Sequence, residues 1–255
     1  MAAPCPCTGL IYVLSVMAAA ITNNIFNAML AVNSSVTSEK IPLLENGDYL
    51  TRPEFERRYT AMPSVKKAEL IERIVYMSSP VRVSYHGRPH AIIMTWLGTY
   101  WTATPGVDLC DNTTVRLDFD NEPQPDAVLR IDGGNSRIDE DDYIAGAPEL
   151  IVEVSASSIS QDMNDKLKAY QRNGVQEYLV WQVEEQKIAW FSLKLGSYVS
   201  LLADERGIIR SEMFPGLWLD EVALLGGDLV TVISTLQEGL QSAAHQTFRE
   251  HLSGL

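Results

Sequence analysis

From about residue 50 onward, apolar and polar positions fall into blocks cut by Pro and Gly, and the period inside each block predicts its element. Arg52 to Met62 opens with Pro53 at a first helical position and spaces Phe55 and Tyr59 four apart, which predicts a short amphipathic helix. ELIERIVYM (69–77) reads as a strand. His86 to Thr102 carries Ile92, Ile93, Trp96, Leu97 and Tyr100 at spacings of three and four, a helix with one buried stripe. VDLCDNTTVRLDF (107–119) alternates like a pair of short strands or one bent strand.

Three near-continuous apolar runs follow, DAVLRI (126–131), ELIVEVS (149–155) and EYLVWQV (177–183), the pattern of strands covered on both faces. Between the last two, residues 160–173 predict a helix with Ser158 or Ser160 as N-cap, Gly174 as its stop, and Met163, Leu167 and Tyr170 on its core face. Strand, helix, strand at these lengths is a βαβ crossover, expected to be right-handed. KIAWFSL (187–193) and YVSLL (198–202) continue the sheet antiparallel, and Leu229, Val232, Ile233, Leu236 and Leu240 mark one stripe of a helix over about 228–250. No internal repeat stands out.

A chain of 255 residues, 46% hydrophobic and 21% charged, has the composition of a folded globular protein and excludes collagen, coiled-coil and low-complexity classes. Residues 1–48 read as a poorly ordered extension, with Met29 an alternative start, and 49–255 as the folded domain. LIYVLSVMAAAI (10–21) falls short of the ~20 residues that span a bilayer. With Lys40 the first basic residue, it also lacks the basic flank of a secretory signal. Three cysteines, Cys5, Cys7 and Cys110, make no disulfide framework and fit a reducing cytoplasm.

The net charge of −13 repels anions. Residues 118–149 hold ten acids against Arg130 and Arg137 and so supply −8 of it, an attraction for divalent cations or simply a solvated acidic loop. Eight bases between Arg52 and Arg88 either form a face for nucleic acid or are simply dispersed solvated charges.

Glu153 is the informative oddity, a carboxylate among Leu150, Ile151, Val152 and Val154, where an uncompensated charge costs several kcal/mol. It needs a basic partner, a raised pKa or a metal ion; a buried salt bridge is the purely structural alternative. Asp126 offers a second carboxylate at the opening of another apolar strand, directly after Pro125. Two bare carboxylates about 4 Å apart repel by roughly 4 kcal/mol at an effective dielectric near 20, so convergence calls for a shared proton or a cation. Mg²⁺ answers this while keeping waters of its own. On the helix that follows, Lys166 borders the buried face and Lys168 points to solvent. Asp162, four residues before Lys166, would make an ordinary exposed helix pair with it, so Lys166 reads either as a catalytic group or as half of that pair.

The order PD (Pro125, Asp126), GAPELIVEVSASS (146–158) and DMNDKLKAYQRNGVQEYLVW (162–181) resembles the Uma-two family of restriction endonucleases, part of the PD-(D/E)XK nuclease superfamily. KAELIERIVYMSSP (67–80) and the HG at His86 and Gly87 resemble earlier landmarks, so the likeness runs from about residue 52 to the C-terminus. It implies a restriction-endonuclease-like α/β fold: a three-layer αβα core around a mixed central sheet, with N-terminal and C-terminal helices. It also implies a metal held by Asp126 and Glu153. Ser155 stands where the superfamily places its lysine, and Lys166 falls at the position that substitutes for it in this family. Glu69 matches a landmark that is either an outer metal ligand or a structural strand charge, and His86 one that either caps a helix or touches substrate.

The function these readings imply is a Mg²⁺-dependent endonuclease, with Mn²⁺ as a substitute, that hydrolyses DNA phosphodiester bonds through Asp126, Glu153 and Lys166; cutting both strands would favour a homodimer. An inactive nuclease-like scaffold serving as a binding or regulatory module is the alternative that the charge of −13 favours. A hydrolase of RNA or of a smaller phosphodiester would use the same carboxylates.

Overall fold

A six-stranded mixed sheet carries an apolar core on each of its faces. Its order is β11-β10-β9-β8-β5-β3, built from β3 (Val107–Asp111), β5 (Ala127–Ile131), β8 (Leu150–Ser155), β9 (Glu177–Gln182), β10 (Lys187–Lys194) and β11 (Ser197–Ser200). β8 and β9 run parallel and the other pairings are antiparallel. The computed structural model describes residues 40–77, 82–156 and 159–254.

β5, β8 and β9 are buried along their whole length, which is why their sequences are apolar without strict alternation. One face of the sheet, with Leu129, Val152, Val154 and Leu179, packs against the stripe Ile93, Trp96, Leu97 and Tyr100 of α2 (Arg88–Ala103) and against Val232 and Leu236 of α6 (Leu229–Leu240). The other face, with Val128, Ile151, Tyr178 and Val180, is covered by Tyr170 of α4 (Leu167–Asn173) and by Val115 and Ile144 of a small sheet ordered β4-β7-β6 (Val115–Arg116, Ile144–Gly146, Ser136–Ile138). These are the three layers the resemblance implies, around a mixed sheet as expected.

A third, smaller core joins α1 (Arg52–Thr60) to a hairpin, β1 (Ala68–Ile71) and β2 (Ile74–Met77), through Phe55, Leu70, Val75 and Leu44. The single strand expected over 69–77 is this hairpin. Glu72 and Arg73 adopt positive φ, 51° and 68°, and fold the run back on itself at a place with no Gly, Asn or Asp to announce a turn. The hairpin docks by paired backbone bonds between Leu70 and Glu122, N···O 3.1 and 2.7 Å, on the segment that leads into β5.

The helix between β8 and β9 runs as α3 (Ile159–Gln161), a π-helical turn (Asp162–Lys166) and α4, stopping at Gly174 in the left-handed conformation, φ 86°. Ser160 lies inside the helix and is not its cap, and Ser158 lies outside the described residues. The expected C-terminal helix is broken at Gln241 and Ser242 into α6 and α7 (Ala243–Leu252), the latter capped by the Ser242 hydroxyl on His245 N. Short α5 (Glu221–Gly226) precedes them, after a two-stranded sheet, β12 (Ile208–Arg210) with β13 (Trp218–Asp220).

Cys5, Cys7, the apolar run 10–21 and residues 1–39 of the expected extension lie outside the described residues. Among the described residues no helix is long and apolar enough to cross a membrane.

Candidate active site

The antiparallel register of β5 and β8 pairs Ala127 with Val152, and one step further sets Asp126 opposite Glu153. Asp126 Oδ2 accepts a hydrogen bond from Val154 N at 2.8 Å, so the carboxylate is fixed against the strand that carries the glutamate. Alternation along β8 sends Val152 and Val154 into the α2 and α6 core and leaves Ile151 and Glu153 facing α4.

The helix after β8 returns over that face with a π-helical turn, in which residues four and five apart stack above one another. Asp162 and Lys166 are therefore both turned inward and buried. Lys166 Nζ lies 2.8 Å from Glu153 Oε1, 2.9 Å from Glu69 Oε1 and 3.7 Å from Asp162 Oδ1. Tyr170, one turn on, donates its hydroxyl to the same Glu153 Oε1 at 3.1 Å. Glu153 is 4% exposed and Lys166 3% exposed, so this network lies beneath the surface.

Glu69 and Lys67 arrive from the hairpin. Alternation buries Ala68 and Leu70 in the small core and turns Lys67 and Glu69 the other way. Glu69 Oε1 also accepts from Gln124 N at 2.8 Å, tying the hairpin to the segment before Asp126. Lys67 Nζ lies 3.6 Å from Asp126 Oδ1, and His86 Nε2 is 3.2 Å from that oxygen. His86 sits in a second π-helical turn (Val83–Gly87) that leads into α2, where it does not cap the helix but touches the aspartate. His90, one turn on, lies 3.1 Å from the Asp126 carbonyl oxygen.

The charges differ sharply between the two carboxylates. Burial works to raise Asp126, but the His86 hydrogen bond, the Lys67 charge and the Val154 amide outweigh it and hold the group down at about 2. Burial dominates at Glu153; Lys166 opposes it, while Asp162, Asp126 and Glu69 add repulsion, and the group is pushed up to about 8. Burial favours the neutral amine of Lys166, yet Glu153, Glu69 and Asp162 hold its proton well above the usual lysine range. One ammonium thus serves three carboxyl groups, with the Asp126 charge felt as well, and the surplus of buried negative charge calls for a proton or a further cation.

All five residues singled out in the sequence, Asp126, Glu153, Lys166, Glu69 and His86, therefore meet in one place. Three others were not read from the sequence as site residues. Asp162 is buried, not the exposed helix pair that its spacing from Lys166 suggests, because the π-helical turn rolls it inward. Tyr170 was legible only as a core residue, and its hydroxyl is the polar handle that the buried carboxylate uses. Lys67 was hidden among the eight bases of 52–88; its signal was a place two residues before Glu69 in the same strand pattern. Glu122 and Glu149, expected within a solvated acidic loop, are buried as well, Glu149 accepting bonds from Ile131 N and Asn135 N.

Among the described residues no three His, Cys, Asp or Glu side chains group as a preformed metal cage. Mg²⁺ does not need one, since it is commonly bound by one or two carboxylates, waters and substrate phosphate. The donor chemistry fits it: hard carboxylate oxygens of Asp126 and Glu153 on adjacent strands, and surplus buried negative charge.

The family model Uma2, described as "Putative restriction endonuclease", matches residues 52–222. The chain belongs to the Uma2 family. Hairpin, both π-helical turns, β5, β8 and α4 all fall inside the matched span, so every residue of the site lies within the Uma2 region. Membership supports a nuclease. A crystal structure from Anabaena variabilis described as a "putative nuclease" is similar to this Uma2 chain, with 12% identity, a TM-score of 0.48, and coverage of 71% of this chain and 97% of that one. No curated protein matches.

Proposed function

We propose that this Uma2 protein is a Mg²⁺-dependent endonuclease that hydrolyses phosphodiester bonds of DNA. The observation that carries the reading is the pairing of Asp126 with Glu153 across β5 and β8, over a lysine already shared by Glu153, Glu69 and Asp162. Asp126 and Glu153 would hold the ion, with Mn²⁺ as a substitute; when bound, it lowers the pKa of a water and neutralises phosphate charge.

The protein's own groups have separate tasks. Asp126 is ionised at any working pH and is aimed by Val154 N. Lys166 and Tyr170 both donate to Glu153 Oε1 and so fix that carboxyl group. Because Lys166 keeps its proton, it holds Glu153 in place and does not act as a base. Glu69 supports Lys166 from the hairpin and is an outer positioning group. Cutting both strands of a duplex would favour a homodimer.

The charge of −13 and the near-complete burial of Glu153 favour a second reading, an inactive scaffold that binds without cutting. Calorimetry separates the two. The nuclease should bind Mn²⁺ or Mg²⁺ in a manner lost with Asp126→Asn and Glu153→Gln, whereas equal heats in wild type and both variants would leave the scaffold reading standing.

A further inference from the structure

Lys166 is the lysine that the motif supplies, yet its geometry gives it no access to a substrate. It is 3% exposed, and Glu153, Glu69 and Asp162 surround its ammonium at 2.8, 2.9 and 3.7 Å. A phosphate reaching it would have to displace carboxylates from a group whose charge they already neutralise.

Lys67 is placed differently. Its side chain is 25% exposed, and its ammonium lies 3.6 Å from Asp126 Oδ1 and 3.4 Å from Asn112 Oδ1. His86, 23% exposed, stands beside it on the same oxygen. Of the eight bases between Arg52 and Arg88, Arg52, Arg57, Arg58 and Arg73 are engaged by Glu56 and Glu122, Glu54, Glu54 and Asp48, and Asp120 respectively. Those pairs lie within α1 or tie α1 and the hairpin turn to Asp48, Asp120 and Glu122. Lys67 instead spends its charge on the carboxylate proposed to bind metal. The site is therefore two-sided, with a buried ammonium beneath Glu153 and a solvent-facing one beside Asp126.

We propose that Lys67, not Lys166, is the cation that receives the phosphate of the bound strand, and that Lys166 is a positioning residue for Glu153. The inference rests on the nuclease reading and assigns the substrate contact within it. An ammonium that exchanges a carboxylate for a phosphate oxygen suits this place, since a metal ion on Asp126 would take over the neutralisation that Lys67 now supplies.

The test compares wild type, Lys67→Ala, Lys67→Arg and, as a control, Lys168→Ala, whose side chain is exposed on α4. Binding of a short labelled DNA is followed against salt with Ca²⁺ present, and kcat and KM are measured with Mg²⁺. Lys67→Ala should lower the steepness of log K against log salt by about one. It should lower kcat/KM by about a hundredfold, and Lys67→Arg should recover most of both. Lys168→Ala should alter neither. A Lys67→Ala protein with the wild-type salt slope and kcat/KM overturns the assignment while leaving the nuclease intact. Wild type that neither binds nor cuts defeats the nuclease reading itself and this inference with it.

Discussion

The Lys166 ammonium lies 2.8 Å from Glu153 Oε1 with both side chains sealed from solvent. A buried pair of this kind contributes little net stability over a well-packed apolar substitute, but it is costly to break on one side, because the remaining charge has nowhere to go. Lys166→Met should therefore destabilise the protein by roughly 3–5 kcal/mol, read as a lowered urea midpoint. Unchanged stability would mean that Glu69, Glu153 and Asp162 do not depend on this lysine.

Glu69 makes a separate prediction, since it accepts from Gln124 N and also faces Lys166. Glu69→Ala leaves a partly buried amide without its acceptor and removes one carboxylate from Lys166, and should cost about 1–3 kcal/mol. It should also lower cleavage, because the segment 121–125 aims Asp126. Glu69→Gln retains an acceptor and should restore most of the stability; urea unfolding of both variants checks it.

Away from the site, Glu122 predicts a pH dependence. Burial, with the Glu56 carboxyl beside it, pushes Glu122 up to about 8 against the opposing charges of Arg116 and Arg52. Between the ordinary carboxyl value and that figure the folded state holds a proton that the unfolded state has lost, so stability must fall as pH rises through this window. Thermal midpoints measured from about pH 5 to 8 should decline in wild type and decline less in Glu122→Gln. Equal slopes in the two proteins would remove Glu122 as the cause.

The sequence made the central strands legible because β5, β8 and β9 are apolar throughout, and a lone Glu153 inside such a run announces a site. The PD aspartate and the helix lysine could then be placed by order along the chain. What was not legible follows from two geometries that leave little trace in composition. Glu72 and Arg73 turn the hairpin at positive φ without Gly or Asn, which hid the strand reversal that delivers Lys67 and Glu69. The π-helical turns at Val83–Gly87 and Asp162–Lys166 depart from the 3.6-residue period, so an ideal helix leaves Asp162 exposed and gives His86 no reason to meet Asp126.

Asp126→Asn tests the acidic pair with the least disturbance of the fold, since the amide oxygen can still accept from Val154 N. Its circular dichroism and melting should resemble wild type, while its cleavage rate falls by at least about a hundredfold. A variant that cuts normally would take Asp126 out of the site.

The most direct measurement is a time course of supercoiled plasmid with purified protein in Mg²⁺, in EDTA, and with Glu153→Ala. Relaxed or linear DNA should accumulate with wild type in Mg²⁺, and neither EDTA samples nor the variant should produce it. Intact plasmid from wild type in both Mg²⁺ and Mn²⁺, or equal cutting by Glu153→Ala, would contradict the account.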